Sequence, residues 1–388
     1  MTTKTRLSVL LLSTPVLAFV LVGGLMGKES VAGDQEFQHL RIFSDVMSLV
    51  MSNYVEEVKV DKVMEGAMRG LADGLDPDSA YLNPRQARAV ETSESLPDGD
   101  VGLQLTRQYY LRVIAARDGS SAAKAGLQTG DYVRAIDGKA TRDMSVFEGT
   151  RLLRGQPGTK VMLTVIRGNA AEPHEVALVR EKSSAPTVTS RMIGSDVGYL
   201  RVASFATGAP EELRRQAAGL EKNGAKALVI DIRRTADGPM ENGHAAARAF
   251  VKTGTLGIKA GREGAASRET IAARPGDGSI DLPVTLLVTT GTAGAAELFA
   301  AALDGNSRAE LVGERTVGRA GVQKLVKLPE SRALWLTYAR YLTPAGQPIH
   351  GRGLQPDIAV DEPDVDFGAP VPATDPILDA AIARARAK

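Results

Sequence analysis

From Met192 onward, apolar runs with strand character alternate with helical segments, and this alternation constrains the fold more than any other feature of the chain. "VGYLRVASF" reads as a strand, "PEELRRQAAGLEKNG" as an amphipathic helix, "AKALVIDIR" as a buried strand and "GHAAARAFVKTG" as a helix. "LPVTLLVTT" follows, then the Ala-rich helix of "GTAGAAELFAAALDG" (291–305), then "RAELVGERT" and two later strands. The pattern predicts α/β layering with crossover helices. A strand that ends in Gly-Thr and opens into a helix is a common mount for a nucleophile. Here the turn carries Thr292, Ala293, Gly294, Ala295 and Ala296. The polar, Gly-rich stretch 261–279 is expected to be a long loop or lid.

Upstream the periodicity differs. Between Gly99 and Glu181 lie "VGLQL", "YLRVIAA", "DYVRAIDG" and "KVMLTVIR", short alternating strands with two short helices, which suit a small, partly open barrel. Residues 34–92 read as helical. Leu40, Phe43, Val46/Met47, Val50 and Tyr54 form one seam, and Val60, Val63, Met64, Ala67 and Leu71 the inner side of a second helix. "LDPDSAYLNP" then breaks the helix with two prolines. At the N-terminus, Lys4 and Arg6 precede the uncharged run Leu7–Met26. About 20 apolar residues suffice to span a bilayer, and a basic flank keeps the first end in the cytoplasm. Ser30–Ala32 offers small residues for a signal peptidase, so a retained anchor and a cleaved signal both stay open. Either way the remainder is expected on the periplasmic or exterior side. The expected segments are 1–33 (leader or anchor), 34–92 (helical), 93–185 (small barrel) and 186–388 (α/β core).

Composition narrows the chemistry. The chain has no cysteine, which excludes thiolate catalysis and zinc–thiolate sites. Its four histidines, His39, His174, His244 and His350, have no ligand spacing, so no metal or other cofactor is expected. A formal charge of +1 and few aromatics give no reason to expect nucleic acid.

Several blocks carry a family resemblance. "AGLQTGDYVRAIDG" (125–138) resembles the signature of a PDZ domain. "LDPDSAYLNP", "DIRRTADG", "TTGTAGAAE", "LVGERTVGRAGVQ" and "YLTPAGQPIHGRGLQPDI" resemble, in order, blocks of the carboxyl-terminal processing (tail-specific) serine peptidases. The resemblance runs from about Glu36 to the C-terminus. It implies a multidomain α/β (α+β) architecture: an N-terminal membrane helix, a helical segment, a PDZ-like partly open β-barrel, and an α/β protease-like core.

That family places a serine nucleophile at the start of the helix, a lysine base 25 residues later, and a glutamine four residues further on. Carried over by position, the serine falls on Gly294, the lysine on Arg319 and the glutamine on Gln323. Nucleophilic catalysis needs a hydroxyl beside a group able to take its proton. Gly294 has no side chain, and an arginine stays protonated in proteins. The oxyanion region maps to Asp237, Gly238 and Ala295, with Asp237 where the family has a glycine. A carboxylate there would repel the charge such a hole stabilises. Asp237 either points to water or pairs with Arg319 across the site. Thr292 reads as a turn or cap residue, Glu297 as a carboxylate at the positive end of a helix, and His350 as catalytic only with a hydroxyl beside it.

The PDZ resemblance implies capture of a polypeptide C-terminus as an added strand. Val101, Gly102, Leu103 and Leu105 of "GDVGLQL" would supply amides and an apolar pocket, whereas a buried strand is the alternative. Arg107 and Arg112 read as solvated strand residues. The leading expectation is an exported, membrane-associated pseudoprotease that binds peptide or protein C-termini or unfolded protein. The alternatives are an active endopeptidase with a non-standard nucleophile, and a structural subunit pairing with an active peptidase. The resemblance also implies a homo-oligomer.

Overall fold

Every residue of Val284–Val288 is buried, and an apolar strand of this kind needs cover on both faces. The structure, a computed structural model, describes residues 37–168, 172–182, 186–370 and 372–387. The chain divides into two compact units, Met1–Met68 and Arg69–Lys388. The first contains α1 (residues 37–53) and most of α2 (Val60–Asp73). In the second, β1 (Ala80–Leu82) and α3 (Pro84–Glu91) come first. A small domain follows with β2 (Leu103–Gln108), β3 (Tyr110–Ala116), α4 (Ser121–Lys124), β4 (Tyr132–Ile136), β5 (Lys139–Ala140), α5 (Val146–Leu153), β6 (Lys160–Ile166) and β7 (His174–Val179). The core then runs through β8 (Val188–Ile193), β9 (Val197–Val202), α6 (Ala209–Lys222), β10 (Ala227–Asp231), α7 (Met240–Ala247), β11 (Thr255–Gly261) and β12 (Arg268–Ala272). It ends with β13 (Val284–Val288), α8 (Ala295–Asp304), β14 (Ala309–Gly313), β15 (Gly321–Lys327), β16 (Ala333–Leu342), β17 (Ile358–Ala359) and α9 (Pro376–Arg386).

The core sheet has the order β17-β14-β13-β10-β9-β8, parallel except for the β8–β9 hairpin. Pleating sends Leu228, Ile230 and Leu286 to one face, where they share a core with Leu213 of α6, Ala246 and Ala247 of α7, and Leu298 and Phe299 of α8. Ala227, Val229 and Leu287 point the other way, onto Ile377, Ala381 and Ala385 of α9. The predicted α/β layering is present. A second, antiparallel sheet joins β1, β16, β11 and β12, with β15 on β16.

That second sheet corrects two sequence expectations. Residues 80–82, placed in the helical segment, pair with β16 (Ala80 opposite Trp335). Stretch 261–279 is not all loop: β12 pairs with β11, and Ile271 packs on the core. One apolar anchor among polar neighbours is enough to seat an edge strand, although composition reads it as coil.

In the small domain the order is β2-β3-β4-β6-β7, with β5 on β4, around Leu105, Leu111, Val133, Ile136, Leu163 and Leu178. The six strands and two helices match the predicted small barrel. A Cβ on Gly149 of α5 would lie 2.2 Å from Leu111 Cδ1, so glycine lets this helix press against the sheet beside β2. Among the described residues, strand β2 pairs only with β3. Opposite Leu105 stands Val113, whose N–H donates to the Asp131 carbonyl (2.8 Å) and whose carbonyl accepts from Gly130 N–H (2.9 Å). Both polar groups of Val113 are therefore used on the β4 side, and those of Leu105 face the free edge.

The α1 seam is another correction. Leu40, Phe43, Val46 and Tyr54 are exposed, and α2 buries only Ala72, with Val60 and Leu71 exposed. Two short helices have too little apolar area to cover such a seam themselves. The run Leu7–Met26 lies outside the described residues. Among those described, no helix is long and apolar enough to cross a membrane.

Candidate functional site

After Val288 the chain turns through residues 289–294 into α8. Thr292 fastens this turn: its N–H donates to the Thr289 carbonyl (2.9 Å), and its hydroxyl accepts from Thr289 N–H (3.1 Å) and donates to the Ile232 carbonyl (2.9 Å). The hydroxyl is wholly buried, so Thr292 is a turn residue. Gly294 sits at the N-terminus of α8 with φ +63° and ψ −125°. An L-residue enters that region only under strain, and strained strand-to-helix elbows are how some hydrolases lift a nucleophile. A Cβ on Gly294 would find Met240 Cε and Sδ at 3.7 Å and the Arg319 carbonyl at 3.9 Å. The elbow has room for a side chain and presents none.

Glu297 does more than favour a helix end. Its carboxylate is fully buried and accepts from Gly294 N–H (3.1 Å), Gly318 N–H (2.7 Å), Arg319 N–H (2.7 Å) and the Thr316 hydroxyl. One side chain thereby ties the elbow to the loop bearing position 319. Burial pushes the Glu297 carboxyl up to about 7, against the downward pull of these four donors. Glutamate three residues into a helix is a readable capping signal. The partners some 20 residues downstream are not.

Arg319 does not pair with Asp237. Its Nε and Nη2 reach Asp78 Oδ1 at 2.9 and 2.8 Å, and its Nη1 donates to the Leu105 carbonyl at 3.2 Å. The Asp78 side chain is buried, so it needs a cation, and the "LDPDSAYLNP" loop sets it against the guanidinium. Sequence reading missed Asp78, because nothing local couples positions 78 and 319. Gln323 Nε2 donates to Thr337 Oγ1 at 3.1 Å, not to the side chain at 319. His350 Nδ1 is buried without a hydrogen-bond partner among the described residues, so no hydroxyl stands ready for it.

Asp237 faces the PDZ-like domain instead of the Arg319 guanidinium: Arg117 Nη1 lies 3.5 Å from its Oδ2, and Ser204 Oγ 3.4 Å. Burial lowers the Arg117 affinity for its proton, but Asp100 and Asp237 together outweigh it and hold the group above the usual arginine value. Gly238 must be glycine, since at φ +111° a Cβ would come within 2.3 Å of the Phe205 carbonyl. The N–H groups of Gly238 and of Ala295, the first residue of α8, have no acceptor among the described residues.

The predicted peptide-binding residues are only partly open. Val101, Leu103 and Leu105 are buried in the barrel core, because α5 presses close to β2. Gly102 N–H already donates to Asp100 Oδ1 (2.8 Å), and Arg117 Nη2 pairs with the same oxygen at 2.7 Å. Leu105 offers its backbone rather than its side chain.

The sequence matches a PDZ domain over residues 112–167 and Peptidase family S41 over residues 196–360. It is 31% identical over 334 residues to the carboxy-terminal-processing protease of Bartonella bacilliformis, covering 84% of this chain and 76% of that one. It is 30% identical over 368 residues to the carboxy-terminal processing protease CtpA of Bacillus subtilis, covering 92% and 78%. The chain belongs to the carboxyl-terminal-processing protease family. Its fold matches that of the photosystem II D1 C-terminal processing protease with a TM-score of 0.68 and 26% identity, over 82% of this chain and 92% of that one. In this member of the family, the residue at the start of α8 is Gly294, without a side chain and at φ +63°, and Arg319 is an ion-paired guanidinium.

Proposed function

We propose that this member of the processing-protease family is a non-catalytic one that binds polypeptide C-termini through its PDZ domain. One observation carries the reading: the elbow residue Gly294 offers no nucleophile, while the cation 25 positions on is a guanidinium bound to a buried carboxylate. No acyl-enzyme forms at a glycine, and a guanidinium takes no proton. The PDZ domain retains an unpaired strand edge for peptide addition. The apolar run Leu7–Met26 behind Lys4 and Arg6 supports export and anchoring, which a topology reporter fused after Lys388 would check: no signal outside the cytoplasm overturns it.

Titration with a labelled decapeptide ending in valine should show saturable binding that its C-terminal amide lacks. Gly102→Val should weaken it at least about tenfold, since residue 102 has φ +78° and a Cβ would lie 2.3 Å from Ser120 Cβ. Equal binding of acid and amide would overturn the reading. A second reading, a subunit that assembles with an active peptidase, is favoured by the exposed Leu40, Phe43 and Val46 of α1. It requires co-purification with such a partner, lost on Phe43→Asp.

A further inference from the structure

Two of the positions at which this chain departs from its family share a second property. The Arg319 guanidinium holds the Leu105 carbonyl on the free edge of β2, at 3.2 Å. Asp237 holds Arg117, at the end of β3, at 3.5 Å. Both links run from the protease-like core to the PDZ domain. Neither a catalytic lysine nor an oxyanion glycine has reason to make them.

What they hold is the surface that a peptide would need. An incoming strand donates N–H groups to the outward carbonyls of β2 and delivers its terminal carboxylate to the loop amides. Arg319 already supplies a donor to Leu105, and Asp100 already supplies a carboxylate to Gly102 N–H at 2.8 Å. Arg117 bridges the two ends by binding both Asp100 and Asp237. The peptide's complement is thus met from inside the chain, donor for donor and carboxylate for carboxylate.

We infer that Arg319 and Asp237 form a latch that keeps the peptide-accepting edge of the PDZ domain closed, and that a polypeptide C-terminus binds by displacing Arg319 from the Leu105 carbonyl. This rests on the PDZ-binding reading above. It gives the altered catalytic positions a role: they set the threshold for capture. The separate pair of Arg201 with Asp118 (2.8 and 3.0 Å) keeps the domain attached when the latch is released.

The test uses the full chain, the valine-terminated decapeptide and its amide, and hydrogen exchange of the segment 101–108. Arg319→Met is combined with Asp78→Asn, so that no buried carboxylate is left unpaired. Asp237→Gly is a second, milder variant that breaks the Arg117 link, along with the long contact to Ser204 Oγ, and leaves Arg319 in place. A hydrogen bond to a charged group shifts such an equilibrium by about tenfold. The double variant should bind the acid peptide about tenfold more tightly and exchange faster across 101–108, with Asp237→Gly changing both in the same direction. Unchanged affinity and exchange in both variants overturn the latch while leaving peptide binding intact. Faster exchange with no binding to any form keeps the latch and overturns the PDZ-binding reading. Should the double variant not fold, Asp237→Gly decides alone by the same criteria.

Discussion

Incubated with an unfolded protein, this chain is expected to release no detectable fragments, its turnover predicted to lie on the order of a million-fold below that of an intact hydroxyl–base pair. Gly294 has nothing to attack with, and Arg319 cannot receive a proton. Restoring the two residues is not enough. A lysine at 319 would lie beside the buried carboxylate of Asp78, which now binds the guanidinium at 2.8 Å. An adjacent carboxylate favours the charged ammonium, the wrong state for a base. Asp237 would still place a carboxylate next to Gly238, where the resemblance puts the oxyanion region. Gly294→Ser with Arg319→Lys is therefore expected to stay slow, and to gain at least about tenfold when Asp78→Asn and Asp237→Gly are added. The new serine meets no clash, its nearest neighbours being the Met240 thioether atoms at 3.7 Å, though it takes on backbone strain of about 1–3 kcal/mol. Gel-based cleavage of casein measures all forms. Cleavage by the unaltered chain that disappears in Thr292→Val would reverse the assignment.

Replacing Glu297 with alanine destabilises the protein by about 3–5 kcal/mol, because four donors lose their buried acceptor together. Its pH dependence has a definite sign. Burial raises the Glu297 carboxyl from 4.5 to about 7, so its contribution is fully present below pH 4.5 and lost as pH rises through 7, about 3 kcal/mol in all. Buried His244 runs the other way. Desolvation, then Arg248, lowers it from 6.5 to about 4, so its contribution is present above pH 6.5 and lost as pH falls through 4. Between pH 4.5 and 6.5 the two nearly cancel. The contributions of these two groups to urea unfolding should accordingly stay nearly flat from pH 5 to 6.5, with a net decline of about 0.5 kcal/mol toward pH 8. Glu297→Gln should remove the alkaline decline and expose an acid-side loss of about 3 kcal/mol. Identical pH profiles for the two proteins would refute this account.

Local chemistry made some of the site legible and left the rest hidden. The turn at 289–294 announces itself because a buried strand must end in residues able to leave the sheet, and Thr292 and Gly294 do so here. Glu297 is visible as a helix-start carboxylate, but its grip on Thr316, Gly318 and Arg319 depends on how β14 returns beside β13. Of the two readings for Asp237, neither water alone nor Arg319 is the outcome, for the same reason: its carboxylate meets Arg117. Complementary charge limits the possible partners, and chain path selects among them. The chain path places Asp78, more than 200 residues away, against the guanidinium.

Sequence alone determined the layered α/β core, the small barrel before it, and the absence of a hydroxyl and a neutralisable base at two spaced positions. These follow from side-chain periodicity and residue chemistry, which are local properties. Tertiary structure decided that Arg319 rests on Asp78 and on the Leu105 carbonyl at the strand edge, and that Asp237 faces Arg117. Those outcomes depend on which surfaces meet when the barrel docks on the core, and residues distant in sequence carry no local signal of that meeting.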